Sequence, residues 1–349
     1  MKKLSAAFAL AAALSAHAQL APVDIGDAGI VRNAPAATAD SATPRASSPA
    51  AKKVGYADAV ALGLVEGITE YLPISSTGHL ILANAALGLD SPEPLKDASG
   101  AEILKPDKTP YTLKDAVDAY SIVIQIGAIA AVAILYWRYI LIMLAGLIGR
   151  NPAGLRLAVN LLVAFLPAAV AGLALHSAIE RYLFGVKPVV IALAAGALLM
   201  FAAQKYYAKR EASRAKFSKM EDLKIGQAAV VGILQCVALW PGTSRSMMTI
   251  LGGYIAGMRP ADSAKFSFLL GLITLSAAAV YKTYKDGAAI AASLSLAPLA
   301  VGLAVAFVGA ALSVKWLVGF LTRKGLAPFA WYRLLLAAAI TAVLCFDLL

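Results

Sequence analysis

Five stretches of this chain carry almost no charge: Ile122–Tyr136, Leu157–Leu175, Val189–Ala203, Leu296–Leu312 and Leu334–Phe346. A helix crosses a bilayer with about 20 mostly apolar residues, and each run reaches that length with its flanks. Backbone N–H and C=O groups find no water in hydrocarbon, so such a run has to pair its polar groups internally, as a helix does. The chain is 349 residues long, 60% hydrophobic, with a mean hydropathy of +0.75. Soluble domains run nearer half apolar. The fold class is an all-α polytopic membrane protein.

Six full spans are expected, at roughly 117–137, 157–177, 188–206, 266–284, 296–316 and 328–348, joined by loops such as 138–156. Two further apolar segments are interrupted before they could cross. Asp58–Leu72 and Thr77–Leu87 flank Pro73, and the stretch 225–256 is broken at Trp240-Pro241-Gly242. Both read as re-entrant helical hairpins, whose irregular backbone is tolerated at membrane depth only where protein or water covers it.

The hairpins resemble one another. Ala59-Val60-Ala61-Leu62-Gly63-Leu64-Val65-Glu66 parallels Ala228-Ala229-Val230-Val231-Gly232-Ile233-Leu234-Gln235, and each is followed by a Pro and a run of hydroxyl residues. Three spans follow each hairpin, so the second copy enters from the opposite face. That is an inverted-topology repeat, about 55–206 and 225–349, with its broken segments meeting near the midplane.

Residues 1–18 read as a signal peptide: Lys2 and Lys3, an apolar Leu4–Leu14, and Ala16-His17-Ala18 as cleavage site. Residues 19–53, rich in Ala, Pro, Ser and Thr, read as a disordered tether, which leaves 54–349 as the membrane domain. With the N-terminus outside, the cytoplasmic loops collect Arg138, Arg150, Arg156, most of the basic run from Lys205 to Lys224, Arg323 and Lys324. This agrees with the positive-inside rule and accounts for a formal net charge of +11 without a nucleic-acid partner. Cys236 and Cys345 lie in apolar segments and offer neither a disulfide framework nor metal-ligand spacing.

Ionisable side chains at membrane depth are expensive and mark sites. Glu66 and Glu70, four apart, share one helix face. Two carboxylates there either share a proton or hold a hard cation, Mg²⁺ or Ca²⁺, together with substrate phosphates. After Pro73, Ser75-Ser76-Thr77-Gly78 opens a helix, and His79 stands in its first turn as a base or nucleophile. A helix start with free N–H groups suits an anion, although Ser and Thr there also serve as N-caps. Pro241-Gly242-Thr243-Ser244-Arg245-Ser246 repeats the pattern, with Arg245 where the first copy has Thr77, and its planar fork matches phosphate. An Arg245–Glu structural pair is the alternative. The set fits phosphoryl chemistry, in which catalysis is positioning and charge stabilisation.

The stretch from Glu66 to His79 and the stretch Pro241–Ser246 resemble the two signature motifs of the undecaprenyl-diphosphatase family, the bacitracin-resistance proteins, and the likeness extends over about 55–349. Gln235–Trp240 and Pro328–Arg333 are similar to family stretches as well. The resemblance implies hydrolysis of undecaprenyl diphosphate, a polyprenyl diphosphate lipid, to undecaprenyl phosphate and inorganic phosphate. The reaction would take place on the periplasmic side of the bacterial inner membrane and recycle the lipid carrier of peptidoglycan synthesis. It implies a divalent ion on Glu66 and Glu70, attack or activation by Ser76 or His79, charge neutralisation by Arg245, and Ser75, Thr77, Ser244 and Thr249 as hydrogen-bond donors to phosphate. A homodimer is compatible with the sequence. The rival reading is a transporter or lipid flippase, because inverted repeats with broken helices are transporter architecture and fold does not fix function.

Overall fold

The computed structural model describes residues 54–345, apart from 97–99, 106–107 and 294. The expected signal peptide and tether lie outside the described residues.

The first hairpin is α1 (Tyr56–Thr69) and α2 (Ser76–Leu87). Asp58 accepts from the Gly55 N–H at 3.0 Å and fixes the start of α1. Pro73 disfavours helical backbone at the residue before it, and the chain reverses in a tight turn in which Ile74 N–H donates to Leu72 O at 2.8 Å. Ser75 then caps α2, its Oγ accepting from Gly78 N–H at 3.3 Å. Gly88, at φ 60°, ends α2 in the left-handed conformation that glycine adopts without strain.

Among the described residues, six helices are long and apolar enough to cross a membrane: α3 (Leu113–Leu135), α5 (Pro152–Leu183), α6 (Val186–Ala212), α9 (Pro260–Ser293), α10 (Leu296–Lys324) and α11 (Ala327–Cys345). The second hairpin, α7 (Ile225–Val237) and α8 (Arg245–Ile255), lies between the third and fourth of these. Its turn contains Gly242 at φ 97°. The helix order thus matches the expected six spans and two interrupted segments.

One element differs. The expected loop 138–156 contains a helix, α4 (Trp137–Leu147). At 11 residues it spans only about 16 Å, too short to cross. It folds back on α5, where Gly146 and Gly154 bring the two backbones together: a Cβ on either would strike Leu155 or Ile142. Apolar residues continue past the break at Tyr136, so the chain gains by helix formation there even without a span.

The two repeats interlock. Half-helix α1 packs on α10 of the second repeat, and half-helix α7 packs on α5 of the first. Both contacts run through glycine. A Cβ on Gly63 would lie 2.8 Å from the Gly302 carbonyl oxygen, and one on Gly232 would lie 2.7 Å from the Ala164 carbonyl oxygen. Gly63 and Gly232 are the equivalent positions that the repeat alignment pairs. Each hairpin is thus seated on the second span of the other repeat, the reciprocity that a pseudo-two-fold axis requires. Helices α6 and α11 pair with each other, as do α3 and α9.

Candidate active site

The turns of the two hairpins touch. Ser246 Oγ donates to the Leu72 carbonyl at 2.7 Å, and Ser244 Oγ lies 3.5 Å from the same oxygen. Ser75 and Ser244 are N-caps with matching left-handed backbone, φ 73° and 72°. Non-glycine residues held there cost on the order of 1–3 kcal/mol and gather at functional sites. The match sets the register between the repeats: Ser75 corresponds to Ser244, so Arg245 stands opposite Ser76, one residue from the expected position opposite Thr77. The strained cap, rather than the proline, is the geometric element that the two turns share.

This register brings Arg245 against the first motif. Its Nη2 lies 3.1 Å from Glu70 Oε1, with side chains only 10% and 6% exposed. Nη1 donates to the Ser267 carbonyl at 3.0 Å, and the guanidinium lies over the Tyr71 ring at 5.2 Å. Gly271 leaves it room: a Cβ there would meet Arg245 Cζ at 2.6 Å. The other oxygen of Glu70, Oε2, accepts from Ser76 Oγ at 2.7 Å. Ser76, Glu70 and Arg245 therefore form one chain from hydroxyl to carboxylate to guanidinium.

Glu66, 1% exposed, accepts from Gln125 Nε2 of α3 at 2.9 Å through Oε1. Its Oε2 makes no hydrogen bond among the described residues. His79 is held at both nitrogens. Nδ1 faces the Ser75 carbonyl at 2.7 Å, and Nε2 faces the Tyr332 hydroxyl of α11 at 2.7 Å.

A half-buried hydroxyl on a carboxylate, an arginine fork and a histidine make a phosphoryl-transfer set, and comparison with known proteins gives it a family. The family model of bacitracin resistance protein BacA matches residues 59–339, which include every residue of this site. The chain belongs to the BacA family. A BacA-family relative from Sorangium cellulosum, an undecaprenyl-diphosphatase, is 42% identical over 81% of this chain and 84% of its own length. Those of a Polaromonas species and of Clostridium tetani carry the same name, at 38% and 33% identity, and are covered over 93% and 97% of their lengths.

Within this BacA chain the expected site residues divide in two. Ser76, Glu70 and Arg245 are in direct contact, with Glu66 one turn before Glu70 and His79 one turn after Ser76 on the same hairpin. Ser75, Ser244 and Thr249 are committed to protein. Ser75 and Ser244 cap their helices, and Thr249, fully buried, donates behind Arg245 to backbone carbonyls and meets Ser267 Oγ at 2.7 Å. In the structure these three hydroxyls hold the two helix starts, and Ser75 alone keeps an uncommitted O–H. Thr77 is partly exposed and makes no side-chain hydrogen bond among the described residues. Of the two acids expected to hold a divalent ion, Glu70 is paired with Arg245 and Glu66 is not.

Three contributors have no role in the motif reading: Gln125, and Tyr332 and Arg333 at the end of the family-like stretch Pro328–Arg333. Each sits in an apolar span far in sequence from the hairpins. Arg333 is fully buried and donates through Nη2 to the carbonyls of Ala192 and Gly242 at 3.0 and 2.9 Å, which ties α11 to the second turn. A lone Gln or Arg inside a charge-free run was the available signal.

Proposed function

We propose that this BacA-family protein hydrolyses undecaprenyl diphosphate to undecaprenyl phosphate and inorganic phosphate, and thereby supports bacitracin resistance. The observation that carries the reading is the contact chain Ser76 Oγ–Glu70–Arg245. The names of the relatives support the substrate. Ser76 Oγ attacks the terminal phosphorus, and its proton passes to Glu70 Oε2 at 2.7 Å. The bond from that phosphorus to the bridging oxygen breaks, and undecaprenyl phosphate leaves with its charge beside Arg245. Water then attacks the phosphoserine. Its proton passes to the Tyr332 hydroxyl as that hydroxyl gives its own hydrogen to His79 Nε2 at 2.7 Å, and Glu70 returns its proton to Ser76 as the phosphate departs. Free backbone N–H groups at the start of α2 and the buried guanidinium stabilise phosphoryl charge in a water-poor site.

A divalent cation, Mg²⁺ or Ca²⁺, is part of the proposal. No group of three or more His, Cys, Asp or Glu side chains converges among the described residues. The donors fit a cation that keeps several waters and binds one or two carboxylates with substrate phosphates. Glu66, with an oxygen free of hydrogen bonds, would hold it first, and Glu70 second. Bound there, it would neutralise diphosphate charge. Every group of the site comes from one chain, so catalysis needs no second copy even if the protein forms a homodimer. The lipid carrier, the multi-pass fold and the positive-inside count support the bacterial inner membrane, with the hairpins re-entrant and the site open to the periplasm.

Phosphate release from undecaprenyl diphosphate by purified protein, beside Ser76→Ala and Arg245→Ala, tests the reading. Release lost in both variants is the expected result. No release from folded wild type refutes the hydrolase and favours lipid translocation.

A further inference from the structure

Helix α11 contributes two adjacent residues that reach different hairpins. Arg333 binds the Gly242 carbonyl in the turn of the second, and Tyr332 meets His79 in the first. Tyr332 is itself 43% exposed, but the helix that carries it is seated by packing. Gly78, beside His79, lies flush against Leu193 and Leu336, where a Cβ would stand 3.3 and 3.4 Å from their methyl groups. Leu336 is one helical turn beyond Tyr332, on the same face of α11. The imidazole and phenol rings are nearly parallel, 5° between planes and 5.6 Å between centroids.

The tautomer follows from the partners. A carbonyl oxygen only accepts, so the nitrogen facing Ser75 O carries the hydrogen. In the neutral ring Nε2 is then the acceptor, and the Tyr332 hydroxyl donates to it. A hydrogen bond on one nitrogen of a histidine decides what the other can do. Here both are fixed, one from within the hairpin and one from the opposite repeat.

We propose that Tyr332 is a positioning residue for His79. Its hydroxyl, donating to the one lone pair of Nε2, holds the imidazole in the Nδ1–H tautomer and in one plane, and a proton bound for Nε2 passes through that hydroxyl, which gives its own hydrogen to Nε2 as it takes another. This rests on the phosphatase reading for its catalytic consequence, but the tautomer does not. Loss of one neutral hydrogen bond corresponds to up to about tenfold. The phenyl ring retains the stacking, so Tyr332→Phe is expected to lower kcat about tenfold and leave KM within about twofold.

The test is a two-armed one on the purified full chain. In the first arm, Tyr332→Phe is assayed in the wild-type and His79→Gln backgrounds. A fall in kcat in the wild type that shrinks below about twofold in His79→Gln is expected of a group acting through His79. An equal fall in both backgrounds, or no fall, overturns the proposal. In the second arm, ¹⁵N NMR of the histidine side chains reads the tautomer directly, with His79→Gln assigning the signal. A protonated Nδ1 and a hydrogen-bonded, unprotonated Nε2, with the Nε2 resonance moving in Tyr332→Phe, is expected; an unmoved resonance overturns it. If wild type releases no phosphate the phosphatase reading falls, while the NMR arm still decides whether Tyr332 sets the ring.

Discussion

Removing one partner of the Glu70–Arg245 pair should harm the protein more than removing both. The two side chains meet at 3.1 Å and are almost completely withdrawn from solvent. Glu70→Gln leaves a buried guanidinium whose remaining partners are the Ser267 carbonyl and the Tyr71 face. Arg245→Met leaves a buried carboxylate with only the Ser76 hydroxyl. Breaking a buried pair from one side costs about 3–5 kcal/mol, whereas replacing both charges by groups of similar shape is often near neutral. At about 2–4 °C per kcal/mol for a chain of this size class, each single variant should lose on the order of 10 °C of thermal midpoint. The double variant Glu70→Gln/Arg245→Met should recover most of that loss, while phosphate release stays abolished in all three. Thermal scans in one detergent, with release measured on the same samples, make the comparison. A double variant that falls by the sum of the two singles would refute the coupling, and with it the view that Arg245 holds the carboxylate as base for Ser76.

Gly67→Ala should disrupt the site by overpacking, since its Cβ would stand 2.9 Å from Ala306 Cα; Gly309→Ala, across the same interface with contacts of 3.4 Å, should be tolerated. The expected difference is about 1–3 kcal/mol, read as thermal midpoint in detergent. Gln125→Leu removes the donor to Glu66 and should lower phosphate release roughly tenfold without unfolding the protein. EDTA should stop release and Mg²⁺ or Ca²⁺ restore it, with Glu66→Gln raising the metal concentration required more than Glu70→Asp does, as titration against release would report.

Much of this molecule was legible in its sequence, and the part that was not has one physical cause. The six spans, the two interrupted segments and the relation of Gly63 to Gly232 follow from apolar length and from where Pro73 and Pro241 fall. The contact of Ser76, Glu70 and Arg245 follows from motifs short enough to read locally. What could not be read is how hydroxyls divide between capping and donation, because Ser75 and Ser76 are chemically alike and only backbone angle separates them. The register of Arg245 against Ser76 is carried by the repeat, since the offset that pairs Gly63 with Gly232 also pairs Ser76 with Arg245, while the left-handed serines leave no signature of their own. Gln125, Tyr332 and Arg333 depend on helix rotation, which sequence spacing does not settle when a span is apolar on every side. Helix α4 was missed because its apolar residues are too few for a span and too continuous for a loop.

The reciprocal seating of the hairpins has a consequence for how the protein is made. Half-helix α1 is synthesised early, but the surface that receives it, α10, comes at the far end of the chain. At about 5–20 residues per second, the roughly 230 residues between Thr69 and Leu296 take on the order of 10–50 s to emerge. Throughout that interval Glu66 and Glu70 sit on a segment too short to span and without its glycine-lined seat. Half-helix α7 has no such wait, because α5 precedes it in the chain, but the turn after it still awaits Arg333 of α11. Assembly of the site is therefore completed from the C-terminal end, where α10 receives the first hairpin and α11 reaches both turns.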